Sequence, residues 1–145
     1  MGSHPPGTTL VFYDGICGLC NRLNRFLLKR DRQGRIRFAP LQSRLAGDTL
    51  ALYGRDSSDL DTVYVVSDWN SPRERVHARS RAVLHTLSLL GPGWRLLSRL
   101  GSIVPTPLAD ALYGLVARHR YRIFGQFDAC PLPPPEWRTR FLDQP

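Results

Sequence analysis

Two cysteines separated by two residues, Cys17-Gly18-Leu19-Cys20, follow an aspartate in the stretch VFYDGICGLCN. At a helix start that spacing brings two sulfurs close enough to bond to one another. A free thiol titrates near ~8.5 and attacks only as the thiolate, which the unpaired N–H groups and dipole of a helix N-terminus stabilise. Cys17 is expected at or just before the first turn, and Cys20 one turn in and less exposed. That order makes Cys17 the nucleophile toward a disulfide and Cys20 the thiol that resolves the mixed disulfide. Arg22 would lower the pKa of Cys17, and an ionised Asp14 would raise it. Asp14, closing an apolar run, is the candidate general acid/base that carries a proton to or from the pair. The plainer reading of Asp14 is an Asp-Gly turn residue that caps the helix.

The same two cysteines admit two other readings. A structural zinc site takes four ligands, often from two CxxC knuckles. Here only Cys130, His77, His85 and His119 remain as further ligands, and they form no second knuckle. A metal site on Cys17, Cys20 and Cys130 and a pair of inert buried thiols therefore stay open beside the redox couple, which the spacing and context favour. Cys130, in a Pro-rich loop, reads first as a small buried apolar residue. Dithiol exchange calls for no organic cofactor and no metal, and its partner would be a protein or small-molecule disulfide or thiol.

The elements that must position these residues are legible in outline. Thr9-Leu10-Val11-Phe12-Tyr13 reads as a strand buried on both faces. A helix is predicted from about Cys17 to Arg30, with Leu19, Leu23, Phe26 and Leu27 on one face and Arg22, Arg25, Lys29 and Arg32 on another. Residues 35–41 alternate as a second strand that ends at Pro40. Ser43 caps a short helix to about Tyr53, 62–66 form a third strand, and a short strand around 75–77 completes a hairpin. Ser80 should open a helix with Val83, Leu84, Leu87 and Leu90 inward. Two more helices are predicted over 94–104 and from Thr106 to about Arg120, followed by a tail too rich in proline for regular structure before Glu136. The first β–α–β unit should be parallel and right-handed. The class is α/β: a thioredoxin-like central sheet in the order β-α-β-α-β-β-α with additional C-terminal helices. Residues 8–145 read as a single domain, with 92–145 as a helical and Pro-rich C-terminal extension.

Composition narrows the setting. The 145 residues carry 20 basic and 12 acidic side chains, a formal charge of +8. Residues 73–145 hold eleven of the basic and five of the acidic groups. The arginines are scattered, as on a solvated surface encoded by a GC-rich bacterial genome, and no nucleic-acid motif accompanies them. No apolar run approaches the ~20 residues that span a bilayer, and the first residues lack the apolar core of a signal peptide. With three cysteines these features point to a reducing cytoplasm, where paired cysteines are catalytic or metal-binding.

The stretch YDGICGLCN resembles the D-x-C-x-x-C signature of the DCC family of predicted thiol–disulfide oxidoreductases. RHRYRIFG at 118–125, IVPTPLADALYGLVA at 103–117, Cys130 and the closing RTRFL resemble that family's C-terminal pattern, so the likeness spans essentially the whole chain. It implies a thioredoxin-like fold and redox function, with Asp14, Cys17 and Cys20 on the signature positions. Two features depart from thioredoxin: Ile16 replaces the Trp before the first cysteine, and Asp61-Thr62-Val63 stands where a cis-Pro precedes the third strand. A different class of function, a non-catalytic module, would instead use Arg22, Arg25, Lys29, Arg118, Arg120 and Arg122 to bind an acidic partner, membrane surface or nucleic acid.

Overall fold

β1 (Thr9–Tyr13) is the strand around which the layers are arranged, and all five of its residues are buried. The computed structural model describes residues 7–128 and 133–142; Cys130 lies outside them. β1 pairs in parallel with β2 (Ile36–Pro40), Thr9 opposite Ile36 and Tyr13 opposite Pro40. On its other side it pairs antiparallel with β3 (Tyr64–Ser67), which pairs antiparallel with β4 (Arg75–Ala78). The sheet order β2-β1-β3-β4, with α1 (Gly18–Arg30) and α2 (Arg44–Ala51) between the first three strands, is the thioredoxin-like α/β arrangement.

Because successive strand residues point to opposite faces, β1 feeds two cores. Val11 and Tyr13 pack with Leu27, Leu28, Phe38, Val65, Ala82 and the two cysteines. Leu10 and Phe12 pack with Leu41, Leu50, Tyr64 and Val66 beside α2. The continuous apolar run thus reports a strand covered on both sides. α3 (Arg79–Ser88), α4 (Pro92–Ser102) and α5 (Thr106–Phe124) complete the chain. α3 and α5 both pack on the cysteine side of the sheet, where Arg79 of α3 stacks on Tyr113 of α5.

Several boundaries differ from the sequence reading for identifiable reasons. β3 begins at Tyr64 because Val63 N–H donates to the Tyr113 hydroxyl at 2.8 Å and Thr62 Oγ1 to Asp59 Oδ2 at 2.9 Å. α3 begins at Arg79, and Ser80 instead donates through its hydroxyl to Asp110 Oδ1. Ala82 and Thr86, rather than the larger residues of that helix, form its buried edge. α1 likewise buries Cys20, Asn24, Leu27 and Leu28, a face turned slightly from the predicted one. α5 continues to Phe124, a full turn past the predicted end.

The tail also takes a place in the sheet layer. After a 3-10 turn at Pro135–Arg140, Phe141 bridges Phe38 and Leu142 N–H donates to Phe38 O at 2.7 Å, covering the open edge of β2. Arg140 anchors this segment on buried Asp31, whose oxygens also accept from the Arg35 and Ile36 amides. Removing one partner of a partly buried charged pair leaves the other incompletely satisfied. Arg140→Met should therefore lower stability by about 1–3 kcal/mol, read as a lower urea midpoint with an unchanged slope.

Candidate functional site

Cys17 is the N-cap residue of α1, extended at φ −83° and ψ 126°, and its sulfur accepts the Cys20 amide at 3.4 Å. A cysteine thus takes the place usually filled by Ser, Thr, Asp or Asn. The preceding turn is held from both sides. Asn21 Nδ2 donates to Gly15 O at 3.1 Å and Cys17 O at 2.8 Å, and Gln42 Oε1 accepts the Gly15 amide at 3.0 Å.

Both cysteines are free thiols, buried at the start of α1. The Cys20 thiol donates to Cys17, and this bond is the largest of the effects that lower the Cys17 pKa from 9.0 to about 6. Burial opposes the shift, while the Cys20 amide, the Arg120 charge and the Leu19 amide add to it. Cys20 is shifted the other way, well above an ordinary thiol. Its bond to Cys17 is the leading cause, followed by burial and by the negative charge on Cys17. The Asp14 amide counters this and the Asp14 charge adds to it. The two thiols are thus pushed in opposite directions, Cys17 down and Cys20 up.

Asp14 is fully buried and accepts four hydrogen bonds. Oδ1 takes the Ile16 amide at 3.2 Å and Gln42 Nε2 at 2.9 Å; Oδ2 takes Arg120 Nη2 at 3.1 Å and the Tyr121 hydroxyl. Asp14, Cys17 and Cys20 thus come together as one cluster. The residue that sequence reasoning misplaced is Arg120. Its basic neighbours in the sequence place it with the basic surface, yet it is 5 % exposed and lies beneath the motif. Its Nη1 donates to Asp61 Oδ1 at 2.6 Å and its Nη2 to Leu60 O at 3.0 Å, so it also fastens the loop before β3. Burial is the strongest single influence on this guanidinium and acts against its charge, but the bonds to Asp61 and Asp14 outweigh it and raise its pKa. A signal was present: Asp110, Tyr113, Ala117 and Arg120 share one helical face, the inward one.

Neither cysteine is open to solvent, where an accessible Cys17 ahead of a less exposed Cys20 is expected from the sequence. Cys17 is 0 % and Cys20 7 % exposed. The cause is the segment after α5. Gly125, at φ 83°, ends that helix in a conformation that favours glycine and turns the chain across the motif. There Gln126 bridges Cys17, Gly18 N–H donates to Gly125 O at 3.1 Å, and Phe127 N–H to Ile16 O at 2.8 Å. A Cβ on Gly18 would collide with Phe124 O, so the glycine inside the motif is what lets this strap lie flat.

Beside the strap a cavity of about 380 Å³ opens along α1, lined by Gly18, Asn21, Arg22, Asn24, Arg25 and Trp137 among others. The Asn24 amide is buried there without a hydrogen-bond partner among the described residues on either atom. His77 and His85 lie elsewhere, their rings stacked at 4.5 Å. Trp94 packs edge-on against Phe26, and Trp69 and Trp137 pack against the two cores. Among the described residues no three His, Cys, Asp or Glu side chains gather to hold a metal. The metal reading needs Cys130, outside those residues.

Ultraviolet thiolate absorbance of the reduced protein should show one thiolate formed around pH 6, protonated below and charged above. Cys20→Ala should move that midpoint upward, because the leading hydrogen bond is lost. Phe127→Pro, which deletes one of the two strap amide bonds, should raise the rate of Cys17 alkylation at fixed pH severalfold. An unchanged rate would mean the strap does not limit access.

A family model described as DCC1-like thiol-disulfide oxidoreductase matches residues 11–126. The chain is 35 % identical over 142 residues to the uncharacterized protein YuxK of Bacillus subtilis, covering 98 % of this chain and 99 % of that one. It is 32 % identical over 123 residues to a DCC family protein of Arabidopsis thaliana described as chloroplastic, covering 85 % of this chain and 69 % of that one. No solved structure matches the chain.

Proposed function

Because the chain belongs to the DCC1-like thiol-disulfide oxidoreductase family, we propose that its redox function is carried by Cys17 and Cys20 as an exchanging dithiol–disulfide couple. The observation that carries this reading is a free Cys17 at the N-cap of α1, its sulfur accepting the amide of a second free cysteine, Cys20, at 3.4 Å. The Cys17 thiolate attacks a substrate disulfide, forming a mixed disulfide and expelling one substrate thiolate, which takes a proton. Cys20 then gives up its proton and attacks the Cys17 sulfur, releasing the second substrate thiolate. The protein dithiol is oxidised to a Cys17–Cys20 disulfide and the substrate disulfide is reduced to two thiols; the reverse direction uses the same steps.

Asp14 is assigned two parts. Its charge keeps Cys20 a thiol until it is needed, and its carboxylate takes the Cys20 proton during resolution. Arg120 is a positioning residue: it holds Asp14 and Asp61 and places its charge near Cys17 without touching substrate. The strap over Cys17 lifts for each exchange, and two backbone hydrogen bonds are a small barrier to that motion. The cavity along α1, with Arg22 and Arg25 beside the Asn24 amide, would receive the chain flanking the substrate cysteine. A reducing compartment such as the cytoplasm supplies the thiols that regenerate the couple.

Stopped-flow turnover of a small aromatic disulfide tests the assignment. Cys17→Ser should abolish it, Cys20→Ser should trap a mixed disulfide visible by intact mass, and Asp14→Asn should slow resolution more than attack. Full turnover in Cys17→Ser would remove the couple from the mechanism.

A further inference from the structure

α4 and α5 turn apolar residues outward. On α4, Leu96, Leu97, Leu100 and Ile103 lie on one side, while the small residues Ser98 and Gly101 make the contact with α3: Ser98 Oγ donates to Leu84 O at 2.8 Å, and Gly101 faces the Leu84 side chain. On α5, Leu108, Leu112, Leu115, Val116 and Ile123 form a stripe opposite the inward Tyr113, Ala117 and Arg120. These nine side chains are 49–76 % exposed. Apolar residues grouped to this extent mark an interaction surface.

The charges beside the stripe identify the occupant. Arg95 and Arg99 flank it on α4 and Arg118 and Arg122 on α5, all exposed and without an ion pair among the described residues. The one acidic residue of the two helices, Asp110, is turned inward to Ser80. Two copies meeting through this face would set arginine against arginine. An anionic bilayer surface satisfies both parts, acyl chains taking the leucines and headgroup phosphates the guanidiniums. Together the two helices are apolar enough for a membrane, but neither alone is long and apolar enough to cross one, and they meet at 108°. Such a pair lies in the interface rather than through it.

We propose that the α4–α5 face docks the protein on an anionic membrane surface, with Leu, Ile and Val side chains inserted and Arg95, Arg99, Arg118 and Arg122 on lipid phosphates. This stands independently of the thiol chemistry.

The test is co-sedimentation of the full chain with vesicles of phosphatidylcholine alone and of equal parts phosphatidylcholine and phosphatidylglycerol. Binding to the anionic vesicles should be ~tenfold or more stronger than to the neutral ones and should weaken as salt is raised. Leu112→Glu with Ile123→Glu, and separately Leu97→Glu on the other helix, should each reduce it by a similar factor. Circular dichroism and the thiolate midpoint should stay unchanged. Absence of binding to anionic vesicles at low salt overturns the proposal. So does binding that survives both sets of substitutions, or a lipid-free dimer by light scattering that Leu112→Glu with Ile123→Glu dissociates. An acidic protein whose capture through this face is not displaced by anionic vesicles would overturn it in favour of a protein partner.

Discussion

A guanidinium under the cysteine turn ties this structure together. Arg120 reaches Asp14 at the end of β1, Asp61 and Leu60 in the loop before β3, and the Ala117 carbonyl of its own helix. Three segments distant in sequence therefore converge on one side chain. Burying a charge is costly unless it is paired and hydrogen-bonded. Here two carboxylates and two carbonyls meet the guanidinium, although its Nε lacks a partner among the described residues. The arrangement holds α5 against these segments, and Gly125 at the end of that helix delivers the strap to the cysteines.

The site balances two opposed demands. A low thiol pKa needs donors and positive charge, while covering the sulfur removes water and favours the neutral form. In Cys17 the donors prevail: the Cys20 thiol, two backbone amides and the Arg120 charge overcome burial. The consequence is a thiolate prepared in advance but screened by the chain itself. Gly18 makes this possible, since any side chain there would push the strap away. Reactivity and access are thereby set by different groups, the first by α1 and Arg120, the second by residues 125–127.

The C-terminal helices serve both sides of the molecule. The inner face of α5 completes the site through Tyr113, Arg120 and Tyr121, each making a hydrogen bond to the sheet or its loops. Its outer face, with that of α4, carries leucines that the fold does not cover. In the sequence the outer face is the apolar stripe at helical spacing, while the inner one carries Asp110, Tyr113 and Arg120. A helix with small residues such as Ser98 and Gly101 against its neighbour packs closely and leaves its largest apolar groups elsewhere.

The sequence by itself determined the local chemistry. The run Thr9–Tyr13 specifies a doubly covered strand because every residue is apolar or β-forming, and the spacing of Cys17 and Cys20 places both sulfurs at one helix start. Element order and period matched the thioredoxin-like arrangement, in which the intervening helix allows the first two strands to pair in parallel, but other α/β folds share that order, and the strand pairing decided it. Only the tertiary structure decided that Arg120 is buried, that both cysteines are covered, and that the leucines of α4 and α5 face outward. Each of these depends on contacts between segments as far apart as residues 14 and 120, or 17 and 126. Local propensity and periodicity act over a few turns of chain, so they specify which residues share a face but not which face meets the core.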